Sequence, residues 1–260
     1  MALLDISDIT KEFGGLKALK DVCMRLEEGE IVSLIGPNGA EKTTLFNCIT
    51  GTMPPSAGSI RFMGAEVVGL APHEVARRGI TRTFQHVRLF NQMTVLENAM
   101  VGHDFRGRTG LFSAILRPSW VGREEAENRA RCLEAMSLFG ERLLPRLNQP
   151  ASALSYANRR RLEIARALVS GPRLLLLDEP TAGMNPHETQ GVVDLIRLIR
   201  DRGHTVLVIE HKMKVVMSVS DRIVVLDHGE KIAEGTPQEI AGNQAVIEAY
   251  MGGRKSAQTD

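Results

Sequence analysis

The sequence has few cysteines, no long apolar run and almost no net charge, and each of these shortages excludes a class of protein. Its three cysteines, Cys23, Cys48 and Cys132, are far apart and odd in number, so they fit no metal-binding pattern and suggest a reducing, cytosolic setting. No apolar run approaches the ~20 residues needed to span a bilayer, and the N-terminus reaches Asp5 too early for a signal peptide. The net charge of +1 gives no support to nucleic-acid binding. Any link to a membrane is therefore expected to pass through a partner.

The sequence has an ordinary composition and alternates between strand and helix patterns. The 260 residues are 43% hydrophobic, which is enough for one large core. Short apolar runs typical of buried strands occur at "IVSLI" (31–35), "RLLLLDEP" (173–180) and "HTVLVIEH" (204–211). Helical patterns cover residues 42–50 and 187–201, and the second has an amphipathic face. This alternation predicts an α/β fold with a largely parallel sheet.

The middle of the chain carries helical rather than strand patterns. Between residues 94 and 169 the strand signals thin out, and Cys132, Met136 and Phe139 recur on one helical face. Residues 103–121 are rich in Gly, Arg and Ser and are predicted to be irregular. Further on, two β-rich runs within 221–235 flank a turn, which is a hairpin signal. We therefore expect a helical subdomain inserted into an α/β core.

The stretch "GPNGAEKTT" has the frame of a phosphate-binding loop. It follows a buried strand and opens a helix, so backbone N–H groups at the helix N-terminus would attract phosphate. Lys42 would reach the β and γ phosphates, and Thr43 would ligate Mg²⁺. The predicted nucleotide contacts of this stretch are Gly36, Pro37, Asn38, Gly39, Ala40, Glu41, Lys42, Thr43 and Thr44. The alternative is a glycine-rich strand–helix turn that carries Lys-Thr by chance.

A second group of candidate residues stands at the ends of two later strands. Asp178 and Glu179 close a buried apolar run, where Asp178 can hold Mg²⁺ through water and Glu179 can polarise the attacking water. His211 closes the next apolar run. Two acids at a solvated strand end are the alternative, but the combination with a Lys-Thr loop is much less frequent by chance. The sequence therefore predicts an ATP-hydrolysing site.

Several sequence segments resemble the motifs of a known protein family. "LSYANRRRLEIARAL" (154–168) resembles the signature segment of the nucleotide-binding subunits of ABC transporters, "TFQ" (83–85) their glutamine loop and "TAGMNP" (181–186) their D-loop. "VIEH" (208–211) resembles their switch histidine, and the likeness runs over nearly the whole chain. A narrower resemblance, to the ATPase subunits of branched-chain amino acid importers, is carried by the segments "FGGLKAL", "ITRTFQHVRLF" and "VIEAYMGG". The ATPase subunits of related importers for urea or similar solutes share these segments.

The resemblance implies roles for individual residues. Phe13 would stack on adenine, with an ordinary core phenylalanine as the alternative. Gln85 would touch Mg²⁺ and water, and His211 would contact the γ-phosphate. On the opposite subunit the γ-phosphate would be bound by Ser155, Tyr156 and Ala157. For the arginines within 159–161 a solvated helix face is as plausible as any contact role.

The resemblance also implies an architecture and an assembly. The fold would be a P-loop NTPase core with an N-terminal antiparallel β part, dividing into a core of residues 1–93 and 170–251, a helical subdomain of 94–169 and a disordered tail of 252–260. Two ATPase subunits, this chain with a sister or with a copy of itself, would pair head to tail, with Asn185 of the D-loop at their interface. Membrane permease subunits and, indirectly, a solute-binding protein would be the other partners, and the pair would lie on the cytoplasmic face of the inner membrane.

Four residues depart from the family pattern at functional motifs. Glu41 replaces the glycine before Lys42, Ala157 stands at the second signature glycine, and Asn158 stands where Gln is usual. Lys212 follows the switch histidine where these importers usually have Asp. A carboxylate at Glu41, turned to solvent or paired with Lys42, is expected to weaken ATP binding or turnover. Two other hypotheses for the function stay open beside a transport ATPase. One is an ABC subunit that binds nucleotide weakly or is regulatory, and the other is a soluble ABC-type ATPase unrelated to transport.

Overall fold

A computed structural model describes residues 2–104 and 119–252 of the chain. For residues 103–104, 119–125 and 252 it describes the backbone alone. Within these limits the chain folds into two sheets and a set of helices that lie between and around them.

The larger sheet has six strands and is parallel except at one edge. It contains β3 (Ile31–Ile35), β6 (Ile80–Arg82), β7 (Leu174–Asp178), β8 (Thr205–Ile209), β9 (Arg222–Asp227) and β10 (Glu230–Gly235), in the spatial order β10-β9-β3-β8-β7-β6. Every residue of β3, β7 and β8 is buried, because these strands lie in the middle of a sheet covered on both faces. The largely parallel sheet and the terminal β9–β10 hairpin are confirmed.

The smaller sheet is antiparallel and is formed by the N-terminal part of the chain. Its strands are β1 (Leu4–Phe13), β2 (Leu16–Leu26), β4 (Ala57–Phe62) and β5 (Ala65–Glu66), in the order β2-β1-β4-β5. Alternate residues of β1, such as Leu4 and Ile6, are buried because one face of this sheet packs on the core, where Phe46 and Leu45 also lie. The predicted N-terminal antiparallel part is therefore confirmed.

Helices flank the sheets and also fill the stretch between β6 and β7. In chain order they are α1 (Lys42–Ile49), α2 (Pro72–Arg78), α3 (Val95–Asp104), α4 (Ser119–Ser137), α5 (Gly140–Leu143), α6 (Tyr156–Val169), α7 (Pro186–Asp201), α8 (Met213–Val219), α9 (Pro237–Ala241) and α10 (Gln244–Gly252). Two short 3₁₀ turns, Leu144–Arg146 and Ala151–Ala153, precede α6. None of the described helices is long and apolar enough to cross a membrane.

The helices between β6 and β7 share one apolar core. Cys132, Met136 and Phe139, predicted to lie on one helical face, are buried there against Leu162 and Ala165 of α6. Residues 105–118 lie outside the described part of the chain, and the prediction of irregular structure is wrong for 103–104 and 119–121, which are helical. The predicted tail lies outside the described residues as well, apart from residue 252, which ends α10. The helical insertion is thus observed, while the residue limits of the subdomains stay a prediction.

Capping explains where the helix after β7 begins. Asn185 accepts a hydrogen bond from the backbone N–H of Glu188, Glu188 accepts one from the N–H of Asn185, and Pro186 occupies the first helical position. The apolar stripe that ends with Ile196 and Ile199 faces the core, as its helical spacing predicts. This cap fixes the end of residues 181–186, the D-loop, relative to α7.

Candidate active site

The phosphate-loop residues connect the end of β3 to the start of α1. Gly36 has a φ of 153° and lies so close to β9 that an added Cβ would sit 2.0 Å from the carbonyl oxygen of Leu226. Gly39 has a φ of 81°, in the left-handed region that favours glycine. Because α1 starts directly after the loop, its unpaired N–H groups face the loop. The geometry suits an anion such as phosphate.

Lys42 folds back over this loop. Its Nζ donates to the carbonyl oxygens of Gly36 (2.8 Å) and Pro37 (2.9 Å). Burial lowers the pKa of Lys42, and the nearby carboxylates of Glu179, Asp178 and, least, Glu41 act in the opposite direction. The ammonium of Lys42 is therefore within electrostatic range of the two acids at the end of β7. The hydroxyl-bearing Thr43 is exposed next to Lys42.

Glu41 occupies the position where the family pattern has glycine. Its backbone has φ 67° and ψ 23°, the left-handed conformation that costs a non-glycine residue about 1–2 kcal/mol. Glu41 is half-buried, and its Oε2 accepts a hydrogen bond from the Thr44 hydroxyl at 2.5 Å. The pairing with Lys42 considered from the sequence is not observed, because the Lys42 ammonium donates to the carbonyl oxygens of Gly36 and Pro37 instead. Glu41 places a negative charge at the N-terminus of α1, where phosphate would bind.

Asp178, the predicted metal ligand, is held by an arginine that the sequence analysis missed. Asp178 is 3% exposed, and its Oδ2 accepts from Arg82 Nη2 at 2.6 Å. Arg82 also donates from Nη1 to the side-chain oxygen of Asn47 in α1 at 2.6 Å. The pair joins β6, β7 and α1 and fixes the carboxylate in one orientation.

Three predicted catalytic residues meet at a single carboxylate oxygen. Oε1 of Glu179 accepts from Gln85 Nε2 at 3.1 Å and from His211 Nε2 at 2.9 Å. Glu179 follows the last residue of β7 with a positive φ of 47°, and its N–H donates to the carbonyl oxygen of Ile209 at the end of β8. Segments 94 and 32 residues away from Glu179 are thereby brought to one point.

The donors around Asp178 and Lys42 fit a hard cation bound with phosphate. Mg²⁺ prefers oxygen ligands and is usually bound through one or two carboxylates together with substrate phosphates. The hydroxyl of Thr43, the carboxylate of Asp178 and the amide oxygen of Gln85 are oxygen donors of this kind. Among the described residues, groups of three or more His, Cys, Asp or Glu able to hold a metal are absent.

Arg160 has the largest fully buried side chain among the described residues, and the sequence did not indicate which groups it contacts. Its side chain is fully buried and donates to the carbonyl oxygens of Gln85 (2.9 Å), Asp178 (3.2 Å) and Glu179 (3.0 Å). It also donates to the carbonyl oxygen of Phe84 and to Glu163 Oε2, the latter at 2.7 Å. A solvated face is therefore wrong for Arg160. One guanidinium in α6 thus connects the backbone at Gln85 with the backbone at Glu179, the predicted catalytic carboxylate.

The signature residues form the start of α6. Ser155 caps the helix and accepts from the N–H of Asn158 at 3.4 Å, while the Asn158 side-chain oxygen accepts from Arg161 at 3.0 Å. Ser155 and Tyr156 are exposed, and Ala157 is buried. The start of α6 therefore presents the side chains of Ser155 and Tyr156 at the surface.

Phe13 lies at the end of β1 with 45% of its surface exposed. The ordinary core phenylalanine that was the alternative for this residue is therefore wrong. The ammonium of Lys11 lies 5.1 Å from the centre of the ring. An exposed aromatic face of this kind can stack on a base.

The fold and this site define a class: a P-loop ATPase cassette with a helical insertion. Comparison with known families agrees, because the model of the ABC transporter family matches residues 19–182. A second model, described as a branched-chain amino acid ATP-binding cassette transporter, matches residues 230–256. The chain belongs to the ABC transporter family, as one of its ATP-hydrolysing subunits.

Individual relatives narrow the comparison. The chain is 47% identical over 251 residues to the high-affinity branched-chain amino acid transport ATP-binding protein LivG of Escherichia coli K12. The aligned region covers 96% of this chain and 98% of LivG. It is 46% identical over 254 residues to BraF of Pseudomonas aeruginosa, a protein of the same description, again with 96% and 98% coverage.

Solved structures carry the same fold. The ADP conformation of MJ1267, an ATP-binding cassette of an ABC transporter, superposes with a TM-score of 0.84 at 30% identity, covering 97% of this chain and 99% of that one. The dimeric cassette MJ0796 bound to ADP and Pi superposes with a TM-score of 0.73 at 27% identity, covering 90% and 98%.

Proposed function

We propose that this chain binds Mg-ATP in the loop before α1 and hydrolyses it to drive import of branched-chain amino acids. The observation that carries the catalytic part is the convergence of Gln85 and His211 on one oxygen of Glu179, next to Lys42. The substrate class is supported by relatives at 46–47% identity that are described as branched-chain amino acid transport proteins.

Each site residue has a proposed task. Phe13 stacks on the adenine, and the loop N–H groups with Lys42 hold the phosphates. Glu179 polarises the attacking water, while His211 fixes the orientation of that carboxylate and contacts the γ-phosphate. Bound Mg²⁺ would neutralise charge on the β and γ phosphates. Thr43, Asp178 and Gln85 are the residues proposed to hold it.

The proposed active form is a head-to-tail pair of ATPase subunits. Ser155 and Tyr156 are exposed at the start of α6, and Ala157 is buried next to them. These three residues are proposed to reach the nucleotide of the partner, with Asn185 of the D-loop at the interface. A dimeric arrangement is described for the similar cassette MJ0796. We further propose membrane permease subunits as partners, a sister chain as the second ATPase, and a peripheral position on the cytoplasmic face of the inner membrane. A solute-binding protein would act only indirectly.

The proposed division of labour within the chain follows the predicted limits. Residues 1–93 and 170–251 form the nucleotide-binding core, and residues 94–169 form the helical part that presents the signature and docks on the membrane partner. Arg160 supports this proposal because it connects the two parts at the catalytic acid.

The test is a set of Mg-ATP binding and hydrolysis measurements on the full chain. Glu179→Gln is expected to keep nucleotide binding and lose turnover by at least a hundredfold, because only the carboxylate can polarise the water. Lys42→Ala is expected to weaken binding itself. Equal turnover in the wild type and in Glu179→Gln would contradict the proposal.

The transport part needs a separate experiment. The chain, expressed with the two proposed membrane permease subunits, should copurify with them and support uptake of radiolabelled leucine by vesicles containing ATP and the solute-binding protein. Uptake of leucine that does not depend on ATP, or failure of the subunits to copurify, would reject the proposed role in import. A DNA- or ribosome-stimulated ATPase activity without such partners would instead favour the soluble alternative.

A further inference from the structure

The segment that follows β8 sends its side chains alternately to two places. His211 points to Glu179 in the catalytic site. Glu210 and Lys212, its two neighbours, both point to the D-loop, residues 181–186. Alternation of this kind is the normal result of extended backbone, and Lys212 has an extended conformation with φ −79° and ψ 98°. One short segment therefore contacts the catalytic acid and the D-loop at the same time.

Lys212 makes three contacts with one region. Its Nζ donates to the carbonyl oxygen of Thr181 at 2.9 Å, to that of Met184 at 3.2 Å and to the Thr189 hydroxyl at 3.3 Å. An ammonium has three protons and no acceptor, so all its donors are used. The first two acceptors belong to the D-loop and the third to the first turn of α7. The contacts span the loop from its first residue to the helix that ends it.

Glu210 adds a second attachment beside the first. It is 2% exposed and accepts a hydrogen bond from the Thr181 hydroxyl. Burial raises the pKa of Glu210, whereas the charge of Lys212 opposes this rise. Thr181 is thus held through its hydroxyl by Glu210 and through its carbonyl by Lys212.

The chemistry of Lys212 cannot be supplied by the residue usual in the resembling importers. An ionised Asp has only acceptors, and the backbone carbonyls of Thr181 and Met184 are acceptors as well. A carboxylate at this position could not donate to the carbonyl oxygens that Lys212 contacts.

We propose that Lys212 is a positioning residue that fastens the D-loop to the segment carrying His211, so that Asn185 and His211 keep one relative placement. The consequence for catalysis rests on the proposed function. Two backbone hydrogen bonds also hold the D-loop: Ala182 N–H donates to the carbonyl oxygen of Glu179, just before the loop (3.1 Å), and Met184 N–H donates to that of Thr181 within it (3.3 Å). Lys212 holds the outer side of that turn and limits its opening.

Amide hydrogen exchange of the full chain, measured by mass spectrometry without nucleotide, tests the attachment directly. Lys212→Met keeps the length of the side chain and removes its donors, so exchange at residues 182–184 is expected to become about tenfold faster. Lys214→Met is the matched control, because Lys214 is an exposed lysine two residues away. Lys212→Arg retains donors and is expected to recover most of the protection.

The proposal is overturned if residues 182–184 exchange at the same rate in Lys212→Met and Lys214→Met. If Lys212→Met does not fold, the comparison is made with Lys212→Gln, whose shorter amide can reach at most part of the acceptor set. The same acceleration in Lys212→Arg and Lys212→Met would also reject the proposal, since it would assign the effect to packing rather than to donated hydrogen bonds.

A kinetic readout separates this inference from the proposed function. In a Glu41→Gly background, Lys212→Met is expected to lower kcat for ATP about tenfold and leave KM within twofold, because Lys212 does not touch the loop that holds the phosphates. An unchanged kcat would reject the catalytic consequence. If the Glu41→Gly chain neither binds nor hydrolyses ATP, the proposed function fails, while hydrogen exchange still decides whether Lys212 holds the D-loop.

Discussion

Replacing Glu41 by glycine should raise the affinity for Mg-ATP far more than it changes stability. The carboxylate lies at the N-terminus of α1 and bonds Thr44, so bound phosphates would meet a like charge. One such pair at about 5 Å, with an effective dielectric constant near 20, costs about 3 kcal/mol. This corresponds to roughly a hundredfold in affinity. The expected dissociation constant of Glu41→Gly is therefore about a hundredfold lower, and hydrolysis is expected to be faster.

The stability of the chain should respond weakly, because opposing effects nearly cancel. Glycine relieves about 1–2 kcal/mol of left-handed strain at φ 67°. It also removes the bond from Thr44 to the Glu41 carboxylate, worth about 1 kcal/mol, and adds about 0.5–1 kcal/mol of backbone entropy in the unfolded chain. The free energy of unfolding is expected to change by no more than about 1 kcal/mol.

Glu41→Gln separates charge from shape, since it keeps the Cβ and the backbone strain but not the negative charge. Calorimetric titration with Mg-ATP at two salt concentrations is the assay. We expect Glu41→Gln to recover most of the affinity, and the deficit of the wild type to shrink at high salt. Wild-type affinity in both variants would refute the reasoning. Recovery by glycine alone would instead assign the defect to the shape of the loop.

Four further predictions concern buried groups. Arg160→Met should lower the free energy of unfolding in urea by about 3–5 kcal/mol, because it leaves a buried carboxylate and several carbonyls without their donor; a loss below 1 kcal/mol would contradict this. Arg82→Met should cost about 3 kcal/mol, and adding Asp178→Asn should restore part of it, so purely additive losses would count against a buried ion pair. Burial raises the pKa of Cys48 and of Cys132 to about 11, so these two thiols should resist iodoacetamide at pH 8.5 in the folded chain and react in the unfolded chain. Because these folded-state pKa values are raised, the stability that the two thiols contribute is present below pH 9 and lost as the pH rises towards 11, which urea titrations at pH 8 and pH 10.5 would detect.

Much of the fold was predictable from short apolar runs. The strand predicted at 31–35 is observed as Ile31–Ile35, and the helix predicted at 187–201 begins one residue earlier, at Pro186. An apolar run predicts that its own strand or helix face is buried, and this prediction does not require knowing which other elements cover it. The phosphate loop and the acids after β7 were predictable for a related reason: their chemistry needs particular residues at fixed local spacing.

Arg160 could have been recognised in part. It lies three residues after Ala157 and four before Ile164, both buried, so it shares the apolar stripe of α6. It also precedes Glu163 by three residues, a spacing that allows an ion pair on a helix. The stripe predicts burial, but it does not identify the carbonyls of Phe84 and Gln85 as acceptors.

The sequence by itself determined the α/β architecture, the family and the set of groups that can handle ATP, because these follow from local spacing and burial patterns. Only the tertiary structure decided where the long side chains point. Arg82 meets Asp178 across 96 residues, and Lys212 meets Thr181 across 31. A flexible cationic side chain reaches solvent as easily as a distant acceptor, and the choice depends on which carbonyls and carboxylates the packed elements bring within about 3 Å.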